Sequence, residues 1–85
     1  MKLKLFILEN CPHCIKARGY LSELLKDPKY QAVEIELIDE NKQSELANSY
    51  DYYYVPTFFY HEKKLFEGSM TKKDVQNVLD EVLSI

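Results

Sequence analysis

The apolar residues of this chain follow two periods, and the changes from one to the other mark its elements. Leu3, Leu5 and Ile7 alternate along one side of the N-terminal segment, while Phe6 and Leu8 occupy the other. Apolar residues on both sides predict a central strand, buried on both faces. From Pro12 the period lengthens: Cys14, Ala17, Leu21, Leu24 and Leu25 recur at helical spacing. Pro12 suits a first helical turn, where its missing N–H leaves no hydrogen bond unmade. The helix is expected to end near Asp27-Pro28, because a residue before proline avoids the helical region. Val33, Ile35 and Leu37 alternate with Glu34 and Glu36, predicting a second strand with one wetter face.

The second half continues in the same way. Asp39 to Tyr50 reads as a polar, marginal helix anchored by the i,i+4 pair Leu46 and Tyr50. After Pro56, the run Thr57-Phe58-Phe59-Tyr60 has strong β composition. His61 to Lys64 reads as a hairpin turn and Leu65-Phe66-Glu67 as the partner strand, after which Gly68 breaks the pattern. Thr71-Lys72-Lys73-Asp74 matches a capping box in its Asp form. Val75, Val78, Leu79, Val82 and Leu83 then give a clean helical stripe. The predicted order is β-α-β-α-β-β-α. The opening βαβ unit must be parallel and right-handed, and the short last connection must be antiparallel. The expected fold class is therefore α/β, a four-stranded mixed sheet with helices on both faces.

Length and composition narrow the functions. Eighty-five residues make a single domain spanning residues 1–85. The formal net charge is −3, with lysines scattered among acids. Nucleic-acid binding needs clustered positive charge, so no nucleic-acid partner is expected. No apolar run approaches the roughly 20 residues of a membrane helix. Met1-Lys2-Leu3-Lys4 opens a strand pattern and lacks the apolar core of a leader peptide. A cytoplasmic monomer with no membrane partner is expected.

The candidate chemistry lies in Cys11-Pro12-His13-Cys14, which holds the only two cysteines. A C-x-x-C at a strand-to-helix junction reads as a redox motif. In a reducing compartment two cysteines rarely serve as a staple. The ring they would close is short, worth about 2 kcal/mol in the loop-entropy model. The pair is better suited to cycling. The helix start offers unpaired N–H groups and a positive dipole end to the Cys11 sulfur. His13 is expected to add a donor, or a cation at lower pH. Related motifs bring the nucleophile to about 3.5–7, and Cys11 is expected in the lower half of that range. Cys14, on the inward stripe, is the expected resolving thiol. Zinc ligation is disfavoured because His13 lies inside the cysteine pair and His61 in a distant turn. No resident metal or cofactor is expected, and a metal or iron–sulfur carrier is the alternative from another class. Tyr52, Tyr53 and Tyr54 read first as packing residues and second as substrate contacts, and His61 as a solvated turn residue.

These features together resemble the thioredoxin superfamily and, within it, the glutaredoxins. The resemblance covers the whole chain: its length, its element order, Cys11-Pro12-His13-Cys14 at the first βα junction, and Val55-Pro56 ahead of the third strand. It implies a thiol–disulfide oxidoreductase acting on protein or small-molecule disulfides. It also implies a cis bond before Pro56, facing the motif. Val55 beside Pro56 would align an extended substrate segment, with Thr57 and Tyr54 lining the groove. Gly68-Ser69-Met70-Thr71 stand where glutaredoxins carry Gly-Gly and the acidic residues that hold the glutathione ammonium, with Lys72, Lys73 and Asp74 following as partial substitutes. Three positions depart from the glutaredoxin pattern: His13 replaces a tyrosine, Leu8 a basic residue, and Ser69 the second glycine. The resemblance itself implies glutathione as one expected co-substrate. A flavoprotein thioredoxin reductase is the alternative electron donor.

Overall fold

The computed structural model describes residues 1–85. Strand β1 (Lys2–Ile7) leads to helix α1 (Pro12–Leu24), strand β2 (Glu34–Asp39) and a short helix α2 (Ser44–Asn48). Strands β3 (Thr57–Tyr60) and β4 (Lys63–Glu67) and helix α3 (Lys72–Ser84) complete the chain. The sheet order is β2-β1-β3-β4. Strand β1 is parallel to β2 and antiparallel to β3, and β3 is antiparallel to β4. The sheet is mixed and four-stranded, as the sequence predicts.

The double-sided pattern of β1 decides where the core lies. Leu3, Leu5 and Ile7 join Cys14, Ala17 and Leu21 of α1 and Val75, Val78, Leu79 and Val82 of α3 in one cluster. Phe6 points the other way and packs with Ile38, Ala47 and Phe59 beneath α2. This second cluster is small and aromatic. The Phe6 ring lies 4.9 Å from both Tyr50 and Tyr52 and 5.6 Å from Phe59. Phe6→Ala is expected to cost about 3–5 kcal/mol, since no side chain behind this fully buried ring can refill its volume. A domain of this size holds only about 4–13 kcal/mol in total, so the loss is a large share of it. Denaturant titration should show the midpoint falling by about a third or more.

The structure corrects the sequence reading at several boundaries. Helix α1 stops at Leu24, before Asp27-Pro28. Asp27 instead caps a 3-10 turn over Pro28–Tyr30, its side chain accepting from the Lys29 N–H. That turn drives Tyr30 into the core, with its hydroxyl donating to Asp80 at 2.6 Å. Helix α2 is five residues, far shorter than the predicted span from Asp39 to Tyr50. Asp39 is held in β2 by its pairing with Ile7, and Asn41–Gln43 form a turn. Strand β4 begins at Lys63, leaving a tight turn in which His61 adopts a φ of 57°. The capping box of α3 forms as predicted, with Thr71 and Asp74 each satisfying the other's N–H.

Candidate active site

Strand register gathers the candidate residues at one end of the sheet. Phe6, near the end of β1, pairs with Thr57, the first residue of β3. Thr57 pairs in turn with Glu67, the last residue of β4. Ile7 pairs with Asp39, the last residue of β2. The segments Leu8–Cys11, Asp39–Lys42, Tyr54–Pro56 and Gly68–Ser69 therefore all leave the sheet at the same edge. This brings together residues that lie more than 40 positions apart in sequence.

The nucleophile segment is built tightly. The Cys11 N–H donates to the Leu8 carbonyl at 3.2 Å, turning the chain from β1 into α1. Cys11 occupies the N-cap with extended backbone, and its carbonyl accepts the first helical bond from Ile15 at 3.0 Å. Its side chain is half-buried, while Cys14, one turn in, is 1 % exposed. Both thiols are free. An open depression of about 400 Å³ lies beside Cys11, lined by Leu8, Glu9, Asn10, Asp39, Asn41 and Lys42.

The two thiols sit in opposite electrostatic environments. Burial alone would push Cys11 up. The N–H of Cys14, the Cys14 thiol and the N–H of His13 outweigh it and hold Cys11 below the ordinary thiol range. Cys14 is pushed up to about 12, first by burial. The Leu8 N–H opposes that rise, whereas the hydrogen bond and negative charge of Cys11 and the Glu40 carboxylate add to it. One thiol is thus shifted toward its thiolate and the other held protonated. His13 acts differently from the expectation. Its side chain is exposed and makes no hydrogen bond within the chain, so its contribution to Cys11 comes from the peptide N–H.

The other candidates take distinct positions. The Val55–Pro56 bond is cis, and Pro56 is fully buried at the site edge. Thr57 is also fully buried, and its hydroxyl donates to the Tyr54 carbonyl, so its side chain braces the loop from inside. Gly68 has a φ of 97°, a conformation that favours glycine, and its N–H donates to the Pro56 carbonyl at 2.9 Å. Ser69 is exposed. Lys72 is engaged by Glu23 at 2.8 Å and Asp74 by the α3 cap, so both already have partners in the chain. Tyr54 is 69 % exposed, whereas Tyr52 packs on Phe6 with its hydroxyl donating to Glu40 at 3.3 Å. Sequence reasoning missed Glu40. Its N–H bonds the Ile7 carbonyl at 3.0 Å, which ties it to the end of β1, and only the parallel pairing of β1 with β2 reveals that. No three His, Cys, Asp or Glu side chains converge into a metal-ligating group. No helix is long and apolar enough to cross a membrane.

Known proteins share this architecture. A solved structure described as that of a malarial protein superposes with a TM-score of 0.73 at 16% identity, covering 94% of this chain and 93% of its own. The germline-specific thioredoxin Deadhead of Drosophila melanogaster superposes with a TM-score of 0.75 at 21% identity, covering 95% of this chain and 79% of its own. At these identities the likeness is one of fold. No curated protein sequence matches the chain. A family profile described as a thioredoxin domain matches residues 1–80, and that match spans both cysteines, the cis-proline and all four strands. The fold and the adjacent cysteines make this a thiol redox centre, and the chain belongs to the thioredoxin-domain family.

Proposed function

We propose that this protein is a dithiol–disulfide oxidoreductase in which Cys11 attacks and Cys14 resolves. The observation that carries the reading is the contrast between the two thiols: Cys11 half-buried and lowered, Cys14 buried and raised to about 12. The Cys11 thiolate attacks one sulfur of a substrate disulfide. The substrate S–S bond breaks, a mixed disulfide forms, and the departing sulfur leaves as a thiolate that takes a proton. Cys11 has then lost its negative charge, and with it two of the influences that raise Cys14. Cys14 can now release its proton and attack the Cys11 sulfur. The second substrate sulfur departs, and the chain holds a Cys11–Cys14 disulfide. The substrate gains two electrons and two protons, one proton from Cys14 and one from solvent, and an external reductant then supplies two electrons to reduce the Cys11–Cys14 disulfide.

Substrates are disulfide-bearing proteins or small molecules. The Val55 N–H and C=O make no hydrogen bond within the chain and are free to pair with an extended segment. For the electron donor we favour a flavoprotein reductase over glutathione. The support is that Asp74 is engaged by the α3 cap and that Leu8 stands where a basic residue would meet a glutathione carboxylate. The protein is read as a cytoplasmic monomer.

The donor assignment is tested by NADPH oxidation with two recharging systems. Thioredoxin reductase is expected to sustain reduction of a protein disulfide, and glutathione with glutathione reductase to sustain at most a tenth of that rate. Faster turnover with glutathione, surviving Cys14→Ser, would establish the glutaredoxin mode instead.

A further inference from the structure

The mechanism above leaves the Glu67 carboxylate unused, yet it is the most heavily engaged side chain near the site. Glu67 is the last residue of β4, with its side chain 19% exposed. It accepts hydrogen bonds from the peptide N–H groups of Tyr53 and of Tyr54, the latter at 2.9 Å. It also pairs with the Lys64 ammonium at 2.8 Å, and Lys64 donates to the Asp51 carbonyl at 3.3 Å. From the inner side, the Thr57 hydroxyl donates to the Tyr54 carbonyl and the Gly68 N–H to the Pro56 carbonyl. The peptide groups on both sides of Val55 are therefore tied down, while those of Val55 itself stay free. Tyr53 and Tyr54 hold their rings 85 % and 69 % exposed on this fixed backbone.

That combination is unusual for a loop. Connecting segments are ordinarily mobile, and binding by a mobile segment costs ordering entropy. Charge-assisted bonds from two successive peptide N–H groups remove that freedom in advance. Tyrosine rings then supply large contact area with few rotors to freeze.

We propose that Glu67 is a positioning residue for peptide-borne disulfides: its carboxylate fixes the Tyr53–Val55 backbone at the Cys11 end of the sheet, so that Val55 pairs with an extended substrate segment and the two tyrosines cover its flanks. The inference rests on the dithiol reading above. A small disulfide without peptide flanks gains nothing from the arrangement. Lys64 and the two N–H groups hold the Glu67 carboxyl at about 2. Its stabilising contribution is complete above the usual carboxylate range near 4.5 and is lost only as pH falls through about 2. The clamp therefore works unchanged from pH 5 to 9.

The test compares E67A and E67Q with wild type, using insulin as the peptide disulfide, 2-hydroxyethyl disulfide as the small one, and dithiothreitol as reductant. E67A is expected to raise KM for insulin about tenfold with kcat within twofold. E67Q, which keeps one acceptor oxygen, is expected to raise it less. Rates of Cys11 alkylation and their pH profile should match wild type in both. Unchanged KM in both variants overturns the inference, as does an equal loss on both substrates with an altered Cys11 profile. If E67A fails to fold, E67Q, equal in volume, carries the comparison alone. Insulin reduction by Cys11→Ser above the rate with dithiothreitol alone would overturn the dithiol reading itself. Turnover that needs Cys11 but ignores Glu67 overturns only the positioning role.

Discussion

Cys11→Ser is expected to abolish disulfide exchange, leaving only the background rate of the free reductant. A serine hydroxyl at the same N-cap has the same N–H groups aimed at it but does not ionise in the accessible pH range, so no nucleophile forms. Cys14→Ser should behave in another way. The first attack needs only Cys11, so the variant is expected to consume one equivalent of protein disulfide and stop as a covalent adduct. Intact-mass measurement after mixing with substrate should show that adduct in Cys14→Ser and free protein in Cys11→Ser. The reverse pattern would exchange the two roles and remove the significance of the burial contrast. Neither substitution is expected to unfold the domain, because serine is close to cysteine in volume and the core is carried by the strands and helices around it.

The second large effect is the difference in reactivity between thiols three residues apart. Cys14 is held at about 12 against an ordinary 9.0, so about 10³-fold fewer of its molecules are ionised at neutral pH than for an unperturbed thiol. Iodoacetamide at pH 7 is expected to modify Cys11 while leaving Cys14 untouched until denaturant is added. Cys11 alkylation should reach half its maximal rate below pH 9.0. The pH dependence of stability follows with opposite signs for the two groups. Cys11 is depressed, so its contribution to the reduced protein is present above 9.0 and is lost as pH falls through its folded value. Cys14 is raised, so its contribution is complete below 9.0 and is lost as pH rises through about 12. The reduced form should therefore lose stability between pH 9 and 12 relative to the oxidised form, which has no thiol to ionise. Thermal melts of both forms across that window would show it. Equal alkylation of both cysteines at pH 7 in the folded protein would contradict the assignment.

Much of this protein was legible in its sequence. The alternation of Leu3, Leu5 and Ile7 against Phe6 placed β1 at the sheet centre, because only a strand covered on both faces can bury both sets. The stripe from Val75 to Leu83 and the Thr71–Asp74 box located α3, since capping and helical periodicity are local properties. The cysteine pair pointed to thiol redox chemistry by its spacing together with its place at a strand-to-helix junction. The weaker elements failed for a common reason. In the segment from Asp39 to Tyr50, and around Tyr30, local preference is slight and long-range contact decides. Asp39 stays in β2 because Ile7 pairs with it. Tyr30 is buried because Asp80, on a distant helix, satisfies its hydroxyl.

The site divides along the same line. Sequence determined that Cys11 would cap a helix and that Cys14 would face inward, because both follow from position relative to Pro12 and the apolar stripe. The tertiary structure decided what surrounds them. It brought Glu40 near Cys14, gave Cys11 the N–H of His13 while leaving the imidazole in solvent, and turned Thr57 inward. It also set Glu67 against the Tyr53 and Tyr54 amides, a contact between the end of one strand and the approach to another. Hydrogen bonds fail beyond about 3.5 Å, and charge–charge energies at the surface are screened over about 10 Å. They are fixed by which loops the sheet register brings to one edge, and that register is set by the whole core at once.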